Sequence, residues 1–189
     1  MLRNAGRFDE GIAILRRAQE RWPTSSLLRY DIGLIYICAS RLDGAEAEAR
    51  DLRGTFGDEV HATLLDAMVL RGRGRYAEAA DLLERHRQSL SINRATTFLQ
   101  ELSYAAAKAG QPQRARRAIR ELEALGGQVA PSAVFALGDL EEARLVILER
   151  HRLRDYSLLM ARCWPEYENL KRLPDIERIL REVGPPEYR

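Results

Sequence analysis

Ser40-Arg41-Leu42-Asp43-Gly44-Ala45 holds the phrase that decides the fold: a small turn-forming residue, an apolar residue two places on, and a small residue three places after that. The phrase recurs as Gly6-Arg7-Phe8 with Gly11, Gly74-Arg75-Tyr76 with Ala79, Gly110-Gln111-Pro112 with Ala115, and Gly138-Asp139-Leu140 with Ala143. Its turn residues, at 6, 40, 74, 110 and 138, are spaced by 34, 34, 36 and 28 residues. Self-similarity at such a period marks a repeat architecture. Four and seven places after each small residue come Leu15 and Ala18, Ala49 and Leu52, Leu83 and His86, Ile119 and Leu122, and Ile147 and Arg150. Those intervals put the side chains on one helical face. A small residue at the head of that stripe lets the helix approach its neighbour closely, and the turn residue before it ends the preceding helix. Each phrase therefore marks the second helix of a hairpin.

The first helices fall in the gaps, at 26–39, 60–71 and 94–109, with a short one inside 128–137. In the best preserved of them Ile32-Gly33 is followed by Tyr36, and Trp22-Pro23 closes the helix before it. A period of 34 with small, large and turn residues in this order resembles the tetratricopeptide repeat, and residues 6–150 carry the resemblance. It implies an all-α fold, a right-handed superhelical array of antiparallel helix hairpins forming an α-solenoid, whose concave face binds partners. Asp66 stands where that pattern usually has an apolar residue, and no Trp opens a first helix. Phe8 arrives too early for a first helix ahead of it, so the chain is expected to be a piece whose partner element lies upstream of Met1.

Beyond Arg150 the pattern changes to Asp155-Tyr156-Ser157-Leu158-Leu159, Trp164-Pro165-Glu166-Tyr167, Leu170-Lys171 and Pro174-Asp175-Ile176, ending in Val183-Gly184-Pro185-Pro186. This ending is similar to that of bacterial multidomain regulators, in which repeats follow a winged-helix, kinase or cyclase domain. The expected organisation is repeats over 1–150, about four and a half hairpins, and a capping segment over 151–189. A cap has a physical purpose, because the last hairpin of a stack otherwise leaves its apolar face in water. Leu173, Ile176, Ile179 and Leu180 give a final helix its apolar side. Arg172, Glu177, Arg178, Arg181 and Glu182 give it a wet side, and Gly184-Pro185 stops it.

Composition excludes several function classes. With 46% hydrophobic residues the 189-residue chain can bury a continuous core. Thirty basic against 28 acidic side chains leave a formal charge of +2, so no net field points to nucleic acid or an acidic partner. No stretch approaches the roughly 20 apolar residues of a membrane span, and Met1–Gly6 lacks a signal-peptide core, so a cytoplasmic location is expected. Cys38 and Cys163 read as small packing residues of a reducing compartment.

No phosphate loop, dinucleotide fingerprint, nucleophile elbow or zinc-helix motif occurs. His61, His86 and His151 are dispersed, and acidic pairs such as Glu46 with Glu48 or Glu141 with Glu142 suit helix starts better than acid–base work. No catalytic, metal or cofactor-binding residue is therefore expected. Arg71-Gly72-Arg73-Gly74-Arg75 and the set Arg114, Arg116, Arg117 and Arg120 raise RNA or DNA binding as a distant reading, but acidic residues follow both clusters closely.

First helices of such an array line its concave face and expose one row of residues per hairpin. By register that row is expected to contain Tyr30, Leu34 and Ile37, then Leu64, Met68 and Arg71, then Gln100, Tyr104 and Lys108. Apolar with a basic edge, it suits an amphipathic helix or extended segment of a protein partner. Tyr30, Leu34, Leu64 and Met68 occupy places where some relatives carry the Lys, Arg and Asn that clamp terminal carboxylates. The reading is thus a protein-interaction scaffold, with the regulatory part of a transcription factor, kinase or cyclase as the alternative.

Overall fold

The computed structural model describes residues 7–87, 90–155, 158, 167 and 170–182, and among these the chain is helical without a strand. The helices are α1 (Phe8–Arg21), α2 (Ser26–Cys38), α3 (Leu42–Gly54), α4 (Glu59–Gly72), α5 (Tyr76–Arg87), α6 (Ile92–Lys108), α7 (Pro112–Ala124), α8 (Pro131–Ala136) and α9 (Leu140–Arg152). A 3-10 turn at Leu170–Arg172 leads into α10 (Pro174–Glu182). Consecutive helices from α1 to α7 pack on each other, as do α8 with α9 and α9 with α10, and α2 also meets α4, α4 meets α6, and α6 meets α8. Contacts that skip one helix and join the even-numbered members stack these into an inner layer, with the odd-numbered helices outside. This is a tetratricopeptide-like α-solenoid.

The repeated phrase works through backbone geometry. Ser40, Gly74, Gly110 and Gly138 adopt φ values of 57°, 76°, 72° and 91°. In each case the following amide donates back across the turn, Arg41 to Tyr36 O at 2.9 Å, Arg75 to Leu70 O at 2.8 Å, Gln111 to Ala106 O at 2.9 Å and Asp139 to Val134 O at 3.3 Å. A left-handed residue that satisfies the last carbonyls of a helix ends it cleanly, and glycine does so without a Cβ penalty. Gly6 lies outside the described residues. The small residues of the phrase are all buried, with Ala45, Ala79, Ala115 and Ala143 at 0% exposure and Gly11 buried in α1.

Three hydrophobic clusters run along the array: Leu34 to Val69 on α2, α3 and α4; Leu64 to Leu122 on α4 through α7; and Val134 to Leu180 on α8, α9 and the tail. Phe98, Leu65, Leu83, Leu102 and Ile147 are essentially inaccessible to water. Full burial of one such side chain contributes roughly 1.5–3 kcal/mol before entropy is subtracted. Ion pairs join the hairpins beneath this surface. Glu48 of α3, 3% exposed, accepts from Arg16 of α1 and Arg29 of α2. Asp66 accepts from Arg53 of α3 at 2.8 Å, which accounts for a polar residue at that place in α4.

Arg114 departs from the solvated outer-face cation that its sequence neighbours suggest. Its guanidinium reaches Asp81 at 2.7 Å, Glu84 at 3.3 Å and Ala80 O at 3.0 Å, locking α7 to α5, while Arg116, Arg117 and Arg120 are exposed. In the tail, Ile176, Ile179 and Leu180 of α10 are buried with Ala143, Ile147, Leu158 and Leu170, and Glu177, Arg178, Arg181 and Glu182 face water. Arg144 of α9 holds Asp175 at 2.5 Å. Cys163, Trp164-Pro165-Glu166 and Gly184-Pro185 lie outside the described residues.

Candidate functional site

The last turns of the inner helices α2, α4, α6 and α8 converge on one concavity of about 440 Å³. Ile37, Met68, Arg71, Tyr104, Lys108, Phe135 and Ala136 come from those helices. Ser40, Leu42 and Tyr76 come from the turns and outer-helix starts that follow. The left-handed turn is what brings both sets together. It reverses the chain at once, so the first residue of α5 stands beside the last of α4.

Arg71 is 7% exposed and paired with Glu101 of α6. Its guanidinium carbon also lies 4.9 Å from the Tyr104 ring centre. Lys108 Nζ, on an exposed residue, lies 5.6 Å from the ring of Tyr76, and Tyr76 meets Tyr104 edge to face at 6.3 Å and 80°. Cations at the carbonyl ends of α4 and α6 are favoured by the helix dipoles, and the ring faces beneath them add cation–π attraction. The result is an aromatic floor with a basic rim.

Of the nine residues expected to line the groove, five meet here: Ile37, Met68, Arg71, Tyr104 and Lys108. Leu34 and Leu64 pack in the clusters without reaching the concavity. Tyr30 is half-buried against both inner clusters and stacks on His61 at 4.4 Å. His61 Nδ1 lies 2.7 Å from Asp58 Oδ2. Asp58 caps α4 by accepting from the His61 amide at 3.2 Å. Burial alone would raise the Asp58 carboxyl pKa, but hydrogen bonds from His61 and Ser26 outweigh it and hold the group below its ordinary value. Gln100 is committed to the fold, donating to Gln128 O at 2.8 Å. Tyr76 and Ser40 also line the concavity although neither lies on a first helix, the elements expected to form it. The aromatic at the start of α5 was legible in the phrase as a packing residue but not as part of the groove.

Among the described residues no group of three His, Cys, Asp or Glu side chains is placed to hold a metal ion, and no helix is long and apolar enough to cross a membrane. Residues 2–59 and 30–91 match the family model described as tetratricopeptide repeat. No curated protein and no solved structure matches the chain. Tetratricopeptide repeats generally mediate protein–protein interaction, and the family is typically a non-catalytic scaffold.

Proposed function

We propose that the chain is a non-enzymatic interaction module that binds a helix or extended segment of a protein partner along its concave face. The observation that carries this reading is the aromatic, basic-rimmed groove built from four successive inner helices. An apolar side chain of the partner would enter between Met68, Tyr76 and Tyr104, and the exposed Lys108 would favour an acidic flank. The family match ends at residue 91, and the similarity of the tail to the ends of winged-helix, kinase or cyclase regulators supports, as a finer proposal, a regulatory role within a longer protein. A reducing, cytoplasmic setting agrees with the buried Cys38 thiol. The packing of α10 against α9 supports a division into repeats over 1–150 and a cap over 151–189.

The test selects binding peptides from a displayed library on the whole chain and measures their affinity for Lys108→Glu, Tyr76→Ala and Arg117→Glu, each checked by its melting curve. Truncating a central anchor typically weakens binding by about 2 kcal/mol, some thirty-fold. The two groove variants are expected to lose that much while Arg117→Glu binds normally. The reverse pattern would move the site to the outer face and sink this reading.

A further inference from the structure

Acidic residues close to the Arg clusters around α5 and α7 argue, in the sequence, against a nucleic-acid site, but the fold commits those acids elsewhere. Glu78 is held by Arg75, Asp81 and Glu84 by Arg114, and Glu121 by Arg87. On α1 and α3, Arg41 holds Asp9, Arg7 holds Glu10, Arg73 holds Asp43 and Glu46, Arg16 holds Glu48, and Arg29 holds Asp51. Of the acids on the outer helices α1, α3, α5 and α7, only Glu20 and Glu123 stand outside an ion pair. The same helices leave Arg17, Arg50, Arg85 and Arg120 exposed, with no ion pair or hydrogen bond. Each stands five or six places after the buried small residue of its repeat, Gly11, Ala45, Ala79 or Ala115. At about 100° per residue, those places point away from the buried stripe. Ion pairs between neighbouring outer helices join residues 32, 33 and 34 apart, as in Arg16–Glu48, Arg114–Asp81 and Arg87–Glu121. The four arginines are 33, 35 and 35 residues apart, so they stand level with one another, one per repeat. Arg21, Arg116 and Arg117 are exposed and unpaired on the same helices. The formal charge of +2 conceals this asymmetry, because paired charges cancel locally and the row does not.

We propose that this outer row binds the phosphate backbone of a nucleic-acid duplex without reading its bases. Guanidinium groups stay charged and match phosphate oxygens with paired donors. With neighbouring helix axes about 10 Å apart, the row spans about 30 Å and faces about nine base pairs. Among the described residues, α3, α5 and α7 expose no large hydrophobic side chain. That removes the apolar core a protein interface is built on and the apolar face a bilayer-surface helix inserts. Single strands bind through aromatic platforms for their bases, and the one aromatic on these three helices, Tyr76, lines the concave groove instead. A duplex, whose bases are already stacked, needs only the cations. The site lies on the layer opposite the groove, so it goes beyond the protein-partner reading and does not depend on it.

The experiment measures fluorescence anisotropy of labelled DNA and RNA duplexes of about 24 base pairs with the full chain, at salt from about 50 to 200 mM. Two triple variants carry the same change in net charge. Arg50→Ala/Arg85→Ala/Arg120→Ala empties the row, and Arg152→Ala/Arg178→Ala/Arg181→Ala removes exposed cations of α9 and α10. Melting curves check each chain, and the row variant should keep its fold because its side chains touch no partner. At least one of the two duplexes should bind with micromolar affinity at the low salt, equally well for unrelated base sequences. The slope of log affinity against log salt should fall between about −3.6, for the four arginines of the row, and about −6.3, for all seven unpaired ones. The row variant should bind at least ten-fold more weakly with a slope shallower by about 3, and the matched variant should stay within about two-fold of the parent. Single strands of the same length should bind more weakly than the duplex, and phosphatidylcholine vesicles containing phosphatidylserine should not bind. No duplex binding at the low salt, an equal loss in both triple variants, tighter binding to single strands, or capture by the vesicles would overturn the proposal. None of these results bears on the peptide-library test of the groove, so failures of the two readings are distinguishable.

Discussion

Replacing Gly33 by alanine sets two effects of known size against each other. Gly33 lies in the middle of α2, where alanine should add roughly 0.5–1 kcal/mol of helix stability. A Cβ at that position, however, would sit 2.3 Å from Leu65 Cδ1, 2.9 Å from Cδ2 and 3.2 Å from Cγ. Carbon atoms prefer about 3.5–4.0 Å, so the methyl would overlap by more than an ångström. Leu65 has 0% exposure and packs among Leu34, Ile37, Ala62 and Met68, which leaves it nowhere to swing. Forcing a methylene into such a core costs typically 1–3 kcal/mol, and the severity of the overlap argues for the upper half. The net expectation is a loss of about 1–2 kcal/mol, or roughly 2–8 °C in melting temperature. Gly54→Ala, with nothing within 4 Å of the added Cβ, should be neutral or slightly stabilising. Leu65→Ala alone should cost about 2–5 kcal/mol. The pair Gly33→Ala/Leu65→Ala should cost less than the sum by about 1–2 kcal/mol, because the new methyl enters the vacated space. Urea titrations followed by circular dichroism at the helix band measure all four chains. A Gly33→Ala chain as stable as the parent, or a strictly additive cycle, would refute the close approach of α2 and α4.

Ser40 holds φ of 57° where the other described turns of the phrase use glycine. Ser40→Gly should therefore gain about 0.5–1 kcal/mol, and Gly74→Ala should lose a similar amount, both readable as opposite shifts in thermal melts. Arg114→Ala breaks the tie between α7 and α5 and should destabilise by about 1–3 kcal/mol, while the exposed Arg117→Ala should stay within about 0.5 kcal/mol. Equal effects in denaturant titrations would count against the clamp. Acid should loosen the array. Arg144 holds the Asp175 carboxyl below its ordinary value, and for Glu84 the pull of Arg87 and Arg114 outweighs the opposing effect of burial. A depressed folded-state pKa contributes stability that is complete above the unfolded value of about 4 and is lost as pH falls through the folded value. Melting temperature should therefore drop between about pH 5 and pH 3, and hydrogen exchange should show α10 opening early because Arg144–Asp175 ties it to α9. A melting temperature that holds or rises over that range would contradict this.

Much of the fold was legible because each repeat reuses one local solution. A left-handed turn needs glycine or a tolerant residue, and a close helix crossing needs a small one. Both requirements fall on the same few positions every 34 or so residues, so Gly74 with Ala79 and Gly110 with Ala115 announce their hairpins without any long-range information. The first helices expected at 26–39, 60–71 and 94–109 stand at Ser26–Cys38, Glu59–Gly72 and Ile92–Lys108 for that reason.

The groove was less legible. Helical register says which residues face the inner layer, but not which of these equally buried side chains border the concavity, which depends on how neighbouring helices turn over one another. Leu34 and Leu64 share the inner row with Met68 and Arg71, and Met68 shares Leu34's cluster, yet only Met68 and Arg71 also line the concavity. Nor could spacing reveal that Tyr76, on an outer helix, meets Tyr104, or that Arg114 bonds back to α5. The sequence by itself determined the repeat, its turns and its helices, because these are set by backbone conformation and residue size within one hairpin. Only the tertiary structure decided which side chains share the groove and that Tyr167 packs against the cluster of α2, α3 and α4, because stacking brings together residues with no fixed separation along the chain.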